Sequence, residues 1–447
     1  MVKSRLFSIH RIRKAIWTTL WLGPLVLSPS LFSSQARGQI TIEIDRFSMK
    51  KFNMAILEFQ NLTTHNHFPD LSEALPKVIS NDLDLSGYFT PMDKESFLEE
   101  GDSMSREEVR MRNYSVIGAD FLITGRYSVI GRVLEVEARL YDVFSGRQIN
   151  NPIKRVGKRE SYRSLMHSIG NEIIYELIGY EGIFLTKLAF VSTSTGHKEV
   201  YVSDYDGYNA QQMTFDESIA LFPRWSPSGD KIAFYSYKGG DPRLYVTNHT
   251  SGKVRTILNR KGLYSGASWA PDGKMLAFTL SQEGHPDIFT VDINGGNITQ
   301  VTKGWGINTS AAFSPDGKKI VFVSNRSGSP QIYVRRLKSG REERLTFQGT
   351  YNQSPTWSSL DRIAFSSYEE GRYNIYAMDS NGRNLKKLTE DQRDNEDPCW
   401  SPDGRYIVFS SNRAGGYHLY IMNANGQNQR RITFMKGEQT LPSWAAY

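Results

Sequence analysis

The stretch WSPDG, Trp400 to Gly404, decides the architecture, because the chain writes it again as WSPSG from Trp225, WAPDG from Trp269 and FSPDG from Phe313. Aromatic anchors at Trp225, Trp269, Phe313, Trp357, Trp400 and Trp444 stand 44, 44, 44, 43 and 44 residues apart. Self-similarity at such a period marks a repeat architecture, in which each unit buries an apolar face against the next. The single 43 has a local origin. In WSSLDRIAF, Trp357 lies eight residues before Phe365, against nine from Trp400 to Phe409, so one turn residue is missing and the register recovers at once.

Working outward from the anchor, each unit carries an apolar run such as KIAFY at Lys231 to Tyr235 or KIVFV at Lys319 to Val323, then a Gly-rich break. A second run follows with an aromatic column at Tyr201, Tyr245, Phe289, Tyr333, Tyr376 and Tyr420, then a turn pair such as Asp206-Gly207 or Asn425-Gly426. A third run ends in Thr in five of six copies. Short β-rich runs separated by turn chemistry read as strands and hairpins, with the Pro of S-P-D-G pre-setting the turn. Four strands in about 44 residues make a propeller blade, and no helical periodicity supports a helical solenoid. KLAFV at Lys187 has no anchor ahead of it, and Trp444 has no strands after it. The last strand therefore completes the blade begun at Lys187 and closes a six-bladed ring, which protects the sheet edges.

Upstream, about 180 residues leave room for one more domain. Lys3, Arg5, Arg11, Arg13 and Lys14 precede an apolar stretch from Ala15 to Phe32, and small residues flank Arg37, so residues 1–38 read as a signal peptide. Pro24 and Pro29 argue against a membrane anchor there, and the mature chain carries no integral membrane segment. From 39 to 180 the pattern is mixed. Ile40, Ile42 and Ile44 alternate, Met54 to Phe59 reads as a strand, and Pro76 to Leu85 as a helix with Pro in its first turn. Ser105 to Asn113 reads as a short helix, Phe121 to Val129 and Val133 to Tyr141 as strands, and Ser161 to Gly179 as a helix with Leu165, Ile169, Ile173 and Leu177 on one face. The expected fold is an α/β amino-terminal domain, residues 39–180, joined by a short linker to an all-β six-bladed propeller, 181–447.

The leader holds six Lys and Arg and no acid, so it supplies six of the formal +7, and the mature chain is near +1. The pI of about 9.1 therefore speaks for export and not for nucleic acid, and no basic stripe runs through the remainder. Cys399 is the only cysteine and can form no intrachain disulfide. It falls in a column of small residues, Ser268, Ala312, Thr356 and Ser443, and reads as packed. His65 and His67 have no close ligand partner but Asp70 and read as a loop, so no metal and no cofactor is expected. The run DNED, Asp394 to Asp397, reads as a solvated face or, at a channel mouth, as a contact for a partner or a cation. A prolyl-oligopeptidase-type hydrolase would need a G-x-S-x-G elbow, which is missing, while a propeller holding a small ligand in its channel stays open as an alternative.

The whole of this organisation resembles the TolB family, the periplasmic propeller proteins of the Tol-Pal system of Gram-negative envelopes. The most specific local match is VSDYDGYN, Val202 to Asn209; the departures are the missing PDG at Ser359 to Asp361 and a terminal WAAY. The resemblance implies a non-catalytic, monomeric periplasmic adaptor. Such an adaptor binds the peptidoglycan-associated lipoprotein Pal through its propeller and TolA through its mature amino terminus, in support of outer-membrane integrity and cell division. The TolA-recruiting segment would be Gln39, Ile40, Thr41, Ile42, Glu43, Ile44 and Asp45, whose alternating Ile residues suit either a permanent strand of the amino-terminal domain or, once detached, pairing with a partner's sheet. Aligning the segments that lead into the anchors places candidate Pal contacts five and four residues ahead of them: Tyr264 and Ser265, Asn308 and Thr309, Asn352 and Gln353, Asn395 and Glu396, Gln439 and Thr440. Ala220 and Leu221 stand at the same two positions before Trp225. These residues are expected to ring one mouth of the central channel, about half of them hydrogen-bonding turn backbone instead of a partner.

Overall fold

In the computed structural model the described residues are 51–63, 69–97, 111–260, 262–282, 284–304, 306–390 and 393–445. The leader, the segment 39–45, His65, His67 and most of the helix expected at 105–113 lie outside them.

The amino-terminal part is a mixed sheet of β1 (Phe52–Ile56), β2 (Gln60–Asn61), β3 (Phe89–Pro91), β4 (Phe121–Ile130), β5 (Val133–Asp142) and β6 (Arg147–Lys158). Its order is β3-β1-β4-β5-β6, with β2 paired to β4. Strand β1 is buried on both faces. Met54 and Ile56 join the core under α1 (Pro69–Ser86) and α3 (Tyr162–Ile178), while Ala55 and Leu57 join a second cluster with Tyr114 of α2 (Met111–Val116).

Three expectations need correction. Helix α1 starts at Pro69, so the first-turn proline is Pro69, and Pro76 sits inside the helix. Pro76 has no N–H to give the carbonyl of Ser72 four residues back, and that oxygen instead accepts the Phe59 N–H at 3.0 Å, so the interior proline leaves no orphan acceptor. The described part of the charged helix runs to Val116 and not to Asn113. The sequence pattern predicts no strand at β6. It is an edge strand whose only buried residue is Ile153, so it lacks the alternation that reveals half-buried strands.

From Lys187 to Trp444 the chain builds six four-stranded sheets. Their innermost strands are Gln439–Trp444, Ala220–Trp225, Leu263–Trp269, Asn308–Phe313, Tyr351–Trp357 and Asn395–Trp400, for blades one to six. Blade one is closed by the chain end, with Gln439 opposite Ser192 and Trp444 opposite Leu188. The recurrent Thr at the end of the outer strand proves to be a clamp. The hydroxyls of Thr214, Thr302, Thr346, Thr389 and Thr433 each accept a third-strand backbone N–H at 2.9 Å, from Val200, Ile288, Ile332, Ile375 and Leu419.

Candidate functional site

Every innermost strand carries a bulge at one position. Three residues before the anchor φ is positive: 54° at Phe222, 53° at Gly266, 56° at Ser310, 51° at Ser354, 53° at Asp397 and 54° at Leu441. The ladder to the second strand skips a residue there in all six blades. Five of the six are not glycine, and such a residue costs about 1–3 kcal/mol, so the ring as a whole holds the geometry. The bulge separates a mouth segment from a channel segment.

The mouth segment divides the expected contact residues into two sets. Those five positions before the anchors are buried and occupied. Asn308 Nδ2 donates to Asp287 Oδ1 of the preceding blade at 2.8 Å, where the Thr302 hydroxyl also donates at 2.7 Å. Asn352 repeats this on Gln331 Oε1, again at 2.8 Å, beside Thr346. Gln439 Oε1 meets His418 Nδ1 at 2.8 Å, Asn395 Oδ1 accepts from Arg413 at 2.6 Å, and the Tyr264 hydroxyl donates to the Arg260 carbonyl at 2.7 Å. Asn308, Asn352 and Gln439 thus staple blade to blade, which the sequence could not reveal because their partners lie in another repeat. Those four before the anchors, Leu221, Ser265, Thr309, Gln353, Glu396 and Thr440, are half-buried and form the ring itself. Gln353 Nε2 donates to Glu396 Oε2 at 3.0 Å across two blades, and the Tyr417 hydroxyl donates to Glu396 Oε1 at 2.5 Å.

Beyond the bulge the channel encloses a cavity of about 380 Å³ lined by Arg224, Ser310, Ser354, Asp397 and the anchors. DNED is therefore no solvated face: it enters the innermost strand of blade six, and Asp397 accepts from Ser354 Oγ at 3.1 Å. Burial raises the carboxyls of both Glu396 and Asp397 above the usual range. Cys399 is structural. Its sulfur accepts the Trp444 N–H at 3.3 Å, as Ser443 Oγ accepts from Trp225 at 3.0 Å, and burial pushes the thiol up and away from reactivity.

The innermost strands run from ring to anchor, so these mark opposite ends of the channel. The α/β part docks at the anchor end, on blades one and six. Helix α1 ends there with no cation in its last turn. Its terminal carbonyls are satisfied from the propeller: Asp84 O by Arg430 Nη2 at 2.9 Å, Leu85 O by Asn428 at 3.1 Å and Ser86 O by the Tyr406 hydroxyl at 3.0 Å. VSDYDGYN forms the second half of the junction. Tyr205, fully buried, donates to Asp82 Oδ1 at 2.5 Å, and His167 Nδ1 lies 2.9 Å from Asp82 Oδ2. Asp206 pairs with Arg163, whose guanidinium lies 3.8 Å from the Tyr208 ring centre. His167, Asp204 and Asp206 approach metal-ligand spacing, but Arg163 and Lys187 already hold the two carboxylates. Among the described residues no helix is long and apolar enough to cross a membrane.

Comparison with known proteins agrees with this geometry. The TolB beta propeller domain family matches residues 175–447, and the TolB amino-terminal domain matches 40–149. The Tol-Pal system protein TolB of Desulfosudis oleivorans is 39% identical over 190 residues, 42% of this chain and 43% of that one. That of Syntrophotalea carbinolica is 36% identical over 163 residues, 36% and 38% of the two chains. The aligned part thus spans about two-fifths of these curated relatives. The crystal structure of TolB from Acinetobacter baumannii superposes with a TM-score of 0.77 at 27% identity, covering 89% of this chain and 97% of that one. With an α/β part docked on a six-bladed ring closed by its own last strand, the chain belongs to the TolB family of Tol-Pal system proteins.

Proposed function

We propose that the chain is a non-catalytic periplasmic adaptor of the Tol-Pal system. It is exported by residues 1–38, holds Pal on the propeller and recruits TolA through residues 39–45. The domains run 39–180 and 181–447. Coupling the two partners serves outer-membrane integrity and cell division. The observation that carries the reading is the half-exposed ring around the channel mouth at the end away from the α/β part, a concave seat for a protruding partner loop. Direct contact falls to Ser265, Thr309, Gln353, Glu396 and Thr440, while Tyr264, Asn308, Asn352, Asn395 and Gln439 support them from inside the blades.

The test is calorimetry of the chain from Gln39 onward with the soluble domains of Pal and TolA. Thr309→Arg is expected to weaken Pal binding at least about tenfold at unchanged melting temperature. Removing residues 39–45 is expected to abolish TolA binding and spare the fold. Normal TolA binding by the truncated chain, or normal Pal binding by Thr309→Arg, would overturn the corresponding half.

A further inference from the structure

One position further out, six residues before each anchor, the mouth acquires a polarity. Ile219, Leu263, Ile307 and Tyr351 occupy this position in blades two to five, and they are 43, 64, 46 and 42% exposed. A lone exposed aliphatic residue means nothing, since folded proteins expose many. Four in the same register of consecutive blades form an arc around one opening, and such a recurrence of exposed apolar side chains marks contact with another molecule. In blades six and one the same position is acidic, Asp394 and Glu438.

Among the described residues, no lysine or arginine pairs with Asp394 or Glu396. Asp394 accepts from the Tyr373 N–H at 3.0 Å and from Asn412 at 3.2 Å, and Glu396, two residues inward, accepts from Tyr417 and Gln353. All four donors are uncharged, so they orient the carboxylates without cancelling their field. Burial and then the neighbouring Asp397 and Asp394 push the Glu396 carboxyl up, a repulsion that an incoming cation would relieve. Anionic lipid would be repelled by this sector, and a wholly apolar partner would leave the carboxylates desolvated and unpaired.

We infer that the mouth takes a protein loop with aliphatic side chains along one edge and a lysine or arginine on the other, the aliphatic edge on the Ile219–Leu263–Ile307–Tyr351 arc and the cation against Asp394 and Glu396. This rests on the adaptor reading for the place of docking and adds to it the chemistry and orientation of the docked segment. The arc supplies desolvated contact area, while the acidic sector fixes which way round the loop sits.

Calorimetry with the soluble Pal domain at low and physiological salt tests it on three proteins: the parent, Leu263→Ser with Ile307→Ser, and Glu396→Gln, which keeps the shape and one acceptor oxygen and removes the charge. The double variant is expected to lose at least about tenfold in affinity with its salt dependence intact. Glu396→Gln is expected to lose about three- to tenfold at low salt and to flatten the salt dependence. A second probe needs no Pal: a cyclic loop peptide with two leucines opposite two lysines, compared with its Leu→Ser and Lys→Glu versions. Only the first is expected to bind, and a version without leucine or without lysine that binds as well overturns the inference. Peptide binding without Pal binding would remove Pal and keep the surface. Pal binding within about twofold of the parent in both variants would sink the surface and keep the adaptor. Silence from both probes would sink both.

Discussion

Gly207 shows what one position of VSDYDGYN does. Its φ is 84°, and a Cβ there would lie 1.9 Å from the backbone oxygen of Ile432 in blade six. Neither the strained φ nor the clash with backbone can be relieved by rotating a side chain. Gly207→Ala is expected to cost about 2–4 kcal/mol in urea denaturation. Gly252 is the control: it occupies the equivalent turn of blade two with φ 67° and open space around it, so Gly252→Ala carries only the backbone cost of about 1 kcal/mol. Equal effects would show that the close approach to Ile432 contributes nothing. The turn glycines were legible in the sequence, but which of them touches another blade was not, because that depends on a residue far along the chain. Asn352 repeats the lesson. It reads as a polar mouth residue, and its role as a staple is set by Gln331 and Thr346 of the blade before.

At the scale of elements, the unexpected strand β6 completes an electrostatic layer on the sheet face away from α1 and α3. Glu137 on β5 stands opposite Arg126 on β4 and Lys154 on β6. Arg126, Arg139 and Lys154 approach its carboxylate to 2.9, 3.0 and 3.1 Å. Burial acts to raise this carboxyl, but the hydrogen bonds from Arg126, Lys154 and Arg139 outweigh it and hold the pKa at about 2, against 4.5 unperturbed. A depressed folded-state pKa gives stability that is complete above the unfolded value and is lost as the pH falls through the folded one. The contribution therefore stands in full above about pH 4.5 and fades towards pH 2. The three cations are 39–58% exposed, and solvent screening trims the gain to about 1–2 kcal/mol. Glu137→Gln is expected to lose that much at pH 7 and to flatten the stability profile between pH 4.5 and 2; an unchanged profile would mean that the layer is solvated. The propeller half of the fold was legible strand by strand because its blades repeat. This layer was not, because β6 follows no repeat and buries a single residue.

At the scale of the molecule, the junction decides whether the α/β part and the propeller behave as two bodies or one. One hydrophobic core runs through both, from Leu83, Leu85 and Ile173 to Tyr205, Tyr406, Ile432 and Trp444. The connecting segment is buried at Ile183 and Phe184, and Trp444 Nε1 donates to the Thr186 hydroxyl at 2.7 Å, so the strand that closes the ring also ties down the linker. Around this apolar seam lie the capped end of α1 and the Asp82–His167–Tyr205 contacts, polar groups that would be left buried and unpaired if the halves slid apart. Residues that far apart in sequence yet sharing one core should unfold together, and a single calorimetric transition is expected for the parent chain. Among the described residues, Tyr205 and Tyr406 are the propeller rings that hydrogen-bond the α/β part, so Tyr205→Ala with Tyr406→Ala opens cavities in the seam and removes two of its polar contacts at once. Each truncation costs about 3–5 kcal/mol, and the loss falls on the coupling between halves more than on the blades, whose strand ladders are untouched. The expected result is two resolved transitions, the α/β part melting first and the six-bladed ring close to the parent temperature. One transition, merely shifted down, would mean that the remaining seam holds the halves together and that these two rings are not what couples them.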